Sequence, residues 1–153
     1  MKVVEDIIKF FHALLKANTS DSRLEWFNVG EYKQRANIVG DSKITPPGKV
    51  KKEMERLLFD YRQKKSVCFE DIVEFHYHFE RIHPFQDGNG KIGWLIMFKE
   101  CLKHNIVPFI IEERHRLYYY RGLKEFDNER GYLTDTCLSA QDIYKEMLDY
   151  FKV

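Results

Sequence analysis

Residues 49–83 run for 35 positions without a glycine or a proline, and residues 1–29 and 132–153 are free of both as well. These two residues end helices, one through backbone freedom and the other through its missing N–H, so the unbroken stretches bias the chain toward helix. Periodicity supports that bias. Val4, Ile7, Ile8, Phe11, Leu14 and Leu15 recur at helical spacing, as do Val50, Met54, Leu57, Leu58 and Tyr61. A third helix is expected over 68–82, with Phe69, Ile72, Val73, His76 and Phe79 on one face, ending at His83 because Pro84 follows. Residues 92–102 are apolar on nearly every side and belong at the centre of a bundle. Two further helices are expected at 112–127 and 139–151, joined by 128–138 with Gly131 at the turn. Residues 36–49 are the exception: weak alternation around Gly40-Asp41 before Pro46-Pro47-Gly48 predicts a small hairpin. The expectation is one all-α domain over 1–153, a bundle of six to seven helices with a short β-hairpin flap.

Composition narrows the partners. Apolar residues make up 44% of the chain and aromatics 15%, enough for a real core, so disorder is excluded for most of it. With 25 Lys and Arg against 24 Asp and Glu, the net charge of +1 gives no field to draw a polyanion, and nucleic acid is not an expected partner. No window approaches 18 uncharged apolar residues, and Lys2, Glu5, Asp6 and Lys9 interrupt the N-terminal stretch, so neither a membrane span nor a signal peptide is expected. Cys68, Cys101 and Cys137 are odd in number and widely spaced in apolar helical contexts, which predicts reduced core thiols and a cytoplasmic home. His76 and His78 stand two apart on a helix and point to different faces, which disfavours a transition-metal set with His83 and Asp87.

The chemistry concentrates in His83-Pro84-Phe85-Gln86-Asp87-Gly88-Asn89-Gly90-Lys91, between the end of one helix and the start of the buried one. Gly88 and Gly90 let the backbone turn tightly and approach a ligand, and the N–H groups opening the next helix point into the same space. That is a phosphate cradle. Asn89 offers an amide donor to a phosphoryl oxygen, Lys91 a positive charge, and Asp87 a hard oxygen for Mg²⁺. His83 is the nearby group able to take a proton near neutral pH, hence a general base for an attacking hydroxyl, while Phe85 pins the loop to the core.

The stretch resembles the Fic motif, H-P-F-x-D/E-G-N-G-R-x-x-R, matching it at His83, Pro84, Phe85, Asp87, Gly88, Asn89 and Gly90. The hairpin with Pro46-Pro47 is similar to the Fic flap, and Tyr119-Tyr120 followed by Leu123 to the aromatic-rich helix after the motif. The resemblance implies transfer of AMP from ATP, with Mg²⁺, to a Ser, Thr or Tyr hydroxyl of a target protein. It implies His83 as base, Asp87 as metal ligand, and Gly88, Asn89, Gly90, Lys91, Tyr119 and Tyr120 as nucleotide contacts. The flap residues Ile38, Val39, Gly40, Asp41, Ser42, Lys43, Ile44 and Thr45 would clamp the target as an added strand. Lys91 and Trp94 stand where the motif has its two arginines, the second of which contacts the γ-phosphate. Relatives in the wider family transfer phosphate, UMP or phosphocholine instead. A transferase of another such group, or a nucleotide- or peptide-binding module without turnover, is therefore the alternative reading.

Overall fold

A computed structural model describes residues 2–153. It contains six α-helices: α1 Glu5–Lys16, α2 Pro47–Arg62, α3 Phe69–Ile82, α4 Asn89–Lys103, α5 Arg116–Glu125 and α6 Gly131–Phe151. Short 3-10 turns stand at Asp21–Arg23 and Glu113–His115. The backbone groups into two compact units, one made of residues up to 66 with 78–96, the other of 67–77 with 97–153. No described helix is long and apolar enough to cross a membrane.

In the first unit, α1 carries Glu5 and Asp6 in its first turn and Lys16 in its last, charges that complement the helix dipole. It buries Ile8 and His12. Helix α2 opens on Pro47, whose missing N–H costs nothing in a first turn, and buries Val50, Met54, Leu58 and Tyr61. That stripe matches the i, i+4 spacing read from the sequence.

The expected hairpin is not formed as a sheet. Among the described residues there is no β-strand, and residues 36–49 hold a single isolated bridge, Val39 with Ser42. What survives is the turn itself, closed by Ser42 N–H donating to Val39 O at 2.9 Å, with Gly40 at φ 54° as its first central residue. A two-stranded ribbon with exposed faces gains little from pairing, and Pro46-Pro47 ends any second strand after a few residues.

In the second unit α6 begins at Gly131, eight residues before the expected start at 139. Thr134 and Thr136 obscure the signal, because β-branched residues are weak helix formers, yet Leu133, Thr136, Cys137 and Ala140 form a buried helical stripe. Thr136 Oγ1 donates to Tyr132 O at 2.8 Å, so the hydroxyl is satisfied inside the helix. Gly122 of α5 is the close-approach point: a Cβ there would lie 2.6 Å from Leu133 Cα. The helix expected at 112–127 starts as α5 only at Arg116, after its 3-10 turn. Cys101 and Cys137 are buried, but Cys68 is exposed, contrary to the core position expected for it. It sits just before α3, where Asp71 Oδ2 accepts from its N–H at 2.9 Å, a reach-back that closes the first turn of the helix.

Candidate active-site loop

His83 leaves α3 in the left-handed region, φ 51°, with its N–H still donating to Phe79 O at 2.9 Å. A helix commonly ends on such a residue, but a glycine normally fills the place, so a histidine there carries local strain. Pro84 then commits the chain to leave.

From Pro84 to Gly88 every backbone carbonyl is bound on the protein side. Pro84 O accepts from Lys33 N–H at 2.9 Å, and Gly88 O from Ile92 N–H at 3.1 Å. Phe85 O accepts from Asn89 Nδ2 at 2.8 Å and Asn37 Nδ2 at 3.0 Å, and Gln86 O from Asn37 Nδ2 at 3.3 Å. Asp87 O accepts from His12 Nε2 at 3.1 Å. The Gln86 side chain also pairs with the Arg35 backbone in both directions, at 3.2 and 3.3 Å. The loop is therefore fixed by its oxygens. Bond Ile92 to Gly88 opens the α4 ladder, which leaves the Gly90 and Lys91 N–H groups without a partner inside the helix, at its positive end. A Cβ on Gly90 would meet nothing within 4 Å, so that position faces open space. Gly88, at φ 85°, makes the turn into it and has Leu15 Cδ2 only 3.0 Å from where a Cβ would stand.

Side chains complete the picture. Phe85 is fully buried and lies flat on the His12 ring, centroids 4.0 Å apart. Asn89 is buried with both ends of its amide bound to Phe85: Oδ1 accepts from the Phe85 N–H and one N–H of Nδ2 donates to the Phe85 carbonyl, both at 2.8 Å. Asp87 is exposed, and Lys16 Nζ donates to its Oδ2 at 2.5 Å, a bond that holds the carboxyl below its usual range. Lys91 is exposed and Trp94 half-buried.

Burial first, and the Lys33 charge second, push His83 down to about 4, with the Glu80 carbonyl and the Asp87 charge pulling weakly the other way. The ring is neutral at pH 7. Lys33 is itself buried and donates from Nζ to Asn37 Oδ1 at 2.7 Å, and desolvation lowers it to about 8 against the opposing charge of Glu53. Glu80, one turn before His83 on α3, has Oε1 buried without a hydrogen bond, and burial pushes it up to about 7.

Of the residues singled out in the sequence, His83, Phe85, Asp87, Gly88, Asn89, Gly90, Lys91 and Trp94, with the turn at 38–45, belong to the first unit. Residues 38–43 are exposed, whereas Thr45 is buried, donates from Oγ1 to Glu53 and from its N–H to Arg81 O. Tyr119 and Tyr120 belong to the second unit, where Tyr119 is buried with its hydroxyl 2.6 Å from His76 Nε2. Sequence reading passed over His12, Lys16, Lys33 and Asn37. His12 and Lys16 share one face of α1 four residues apart, but their partner is 71 to 75 positions away and leaves no local signal.

Asp87 is the one carboxylate within the loop 83–91, and among the described residues no three His, Cys, Asp or Glu side chains converge on a metal position. That suits Mg²⁺, which commonly takes one or two carboxylates and fills the rest of its octahedron with phosphate oxygens and water.

The chain is an all-α domain whose helix-opening loop reads H-P-F-Q-D-G-N-G, with its carbonyls turned inward and the first N–H groups of α4 open. Residues 2–101 match the Fic/DOC family, so the chain is a member of that family. It is 30% identical over 98 residues to the protein adenylyltransferase Fic of Aedes aegypti, and equally to that of Culex quinquefasciatus. Each match covers 62% of this chain and 20% of the relative, so the chain spans about one fifth of the length of those proteins. Among solved structures, Fic-1 from C. elegans superposes with TM-score 0.76 at 19% identity, over 99% of this chain and 44% of that one. A Fic domain containing signaling protein from Bacteroides thetaiotaomicron gives 0.73 at 22%, over 98% and 58%. These similarities establish the Fic-like fold.

Proposed function

We propose that the chain is a Fic-type adenylyltransferase that moves AMP from ATP to a Ser, Thr or Tyr hydroxyl of a target protein. The observation that carries the reading is the loop 84–88, whose five carbonyls are all bound inward while the N–H groups of Gly90 and Lys91 stay open at the start of α4. Such a loop turns its carbonyl dipoles away from an incoming anion and offers it N–H donors, while Lys16 offsets the one negative charge the loop carries, on Asp87.

The target hydroxyl attacks the α-phosphorus, the bond to the bridging oxygen breaks, and pyrophosphate leaves. His83 takes the hydroxyl proton, and a ring already neutral at pH 7 is free to do so. Gly90 and Lys91 N–H groups and the Lys91 ammonium bind phosphate oxygens. Asp87 would hold Mg²⁺, which when bound spreads the negative charge of the phosphates. Asn89 acts as the brace that shapes the loop, since its amide is engaged on Phe85. The exposed turn at 38–43 has one internal bridge and offers backbone to a target segment as an added strand.

Trp94 supports a second reading. It stands one turn into α4, where the family motif has an arginine, and brings no charge to an outer phosphate. A donor other than ATP, or nucleotide binding without turnover, fits that substitution. Incubation with a lysate, Mg²⁺ and ATP labelled at the α or the γ phosphate in separate reactions distinguishes these. Label from the α position on protein supports adenylyl transfer, γ label alone supports phosphoryl transfer, and neither supports a donor other than ATP or the binding module, which repeating the reaction with other labelled nucleotides separates.

A further inference from the structure

Helix α1 holds Asp87 twice. His12 Nε2–H donates to its backbone carbonyl at 3.1 Å, a tautomer fixed because His12 Nδ1 accepts from Gly30 N–H at 2.9 Å. One turn further on, Lys16 Nζ donates to the carboxylate at 2.5 Å. Lys16 does not depend on that bond alone. Asp21 Oδ2 stands 3.0 Å from the same ammonium, which also lies over the Phe27 ring at 5.5 Å. The exposures differ: the Lys16 side chain is 12% exposed and the Asp87 side chain 64%. The ammonium thus sits on the protected side of a carboxylate that is otherwise open to solvent.

An ammonium hydrogen-bonded to a carboxylate oxygen occupies a position that a hard cation would take on that oxygen. We propose that Lys16 is a tethered stand-in cation, which orients and neutralises Asp87 in the ligand-free site and withdraws to Asp21 when a divalent cation carried by a nucleoside triphosphate takes the carboxylate. The inference rests on the nucleotide reading above and makes Lys16 a positioning residue that sets metal affinity. His12 keeps the Asp87 backbone in place throughout, so the exchange needs only side-chain motion.

The test is the gain in ATP affinity on adding Mn²⁺, measured by calorimetry for wild type, Lys16→Met, Lys16→Arg, Asp87→Asn and the Lys16→Met/Asp87→Asn double variant. Losing a partly buried charge-assisted bond that competes for the carboxylate should raise the Mn²⁺-dependent gain about three- to tenfold in Lys16→Met. Lys16→Arg, which keeps the charge and the bond, should bind Mn²⁺ and ATP no tighter than wild type. In the Asp87→Asn background the Lys16→Met effect should shrink below about twofold, because the contested oxygen is gone. An equal gain in that background would reduce Lys16 to a general field effect and overturn the assignment, as would no gain or a loss in Lys16→Met; in each case wild-type ATP binding leaves the nucleotide reading standing. Absence of ATP binding by wild type with Mn²⁺ present overturns both.

Discussion

The His12 ring lies parallel to the Phe85 ring, 5° between planes and 4.0 Å between centroids, so α1 holds the middle of the loop by stacking as well as by hydrogen bonds. His12 is fully buried and each of its ring nitrogens is engaged. Replacing it with Phe keeps the stack and strands the Gly30 N–H and the Asp87 carbonyl, each costing about 1–3 kcal/mol when buried. His12→Ala strands the same two groups and loses the stacked ring as well, so it should be the more destabilising of the two. Urea unfolding of both variants checks the order, and a His12→Ala as stable as wild type would contradict it.

Asn89 braces Phe85 from below. Asn89→Ala leaves the Phe85 N–H without its acceptor and should destabilise by about 2–3 kcal/mol, with nucleotide affinity falling because the cradle loses its shape. Asn89→Asp keeps the acceptor and loses the donor, so it should be intermediate or worse. Melting curves with and without ATP measure both effects.

Glu80 titrates out of step with an exposed carboxylate. Its folded value near 7 lies above the ordinary value of 4.5, so the folded form binds the extra proton and stability falls as pH rises through about 7. Glu80→Gln has no such penalty. It should be about 1–3 kcal/mol more stable than wild type at pH 8, with the advantage shrinking as pH falls from 7 and mostly gone by pH 5. Denaturation at the two pH values reads the difference, and an advantage independent of pH would contradict the buried-carboxyl account.

His83 shifts in the opposite sense. With a folded value of about 4 against 6.5, it stays neutral through the physiological range, and the acid limb of kcat/KM for transfer should fall near pH 4 to 5 instead of near 6.5. Lys33→Met removes a positive charge beside the ring and should move that limb upward. Burial is the larger cause, so the limb should remain below 6.5. An acid limb unmoved by Lys33→Met would remove the lysine from the control of His83.

In the second unit, Gly122→Ala places a methyl 2.6 Å from Leu133 Cα, and backbone cannot yield as a flexible side chain would. The variant should lose about 2–4 kcal/mol, more than helix propensity could return. Thermal unfolding checks this, and a more stable Gly122→Ala would mean that α5 and α6 separate there at little cost.

The helices were legible because their buried stripes repeat locally: Val50, Met54, Leu58 and Tyr61 announce α2 without any tertiary information. The start of α6 was not, since Thr134 and Thr136 weaken the local signal and only packing of Leu133 and Cys137 reveals the added turns. The flap fails for the complementary reason, that alternation sets a turn but a sheet needs a partner face. At the loop, the expectation of a phosphate cradle rested on residue types, while the contacts that brace the loop were not readable. Asn89 has the chemistry of a donor to phosphate and is engaged on Phe85, and the cation on Asp87 comes from a lysine 71 positions earlier.

The central claim is that His83 is the base of an adenylyl transfer at this loop. Its most direct test is the initial rate of AMP attachment to protein from α-labelled ATP, with wild type and His83→Ala compared at equal bound nucleotide. The account predicts protein-attached AMP from wild type and at least about a hundredfold loss in His83→Ala with ATP affinity largely kept. Equal rates from the two proteins would contradict it.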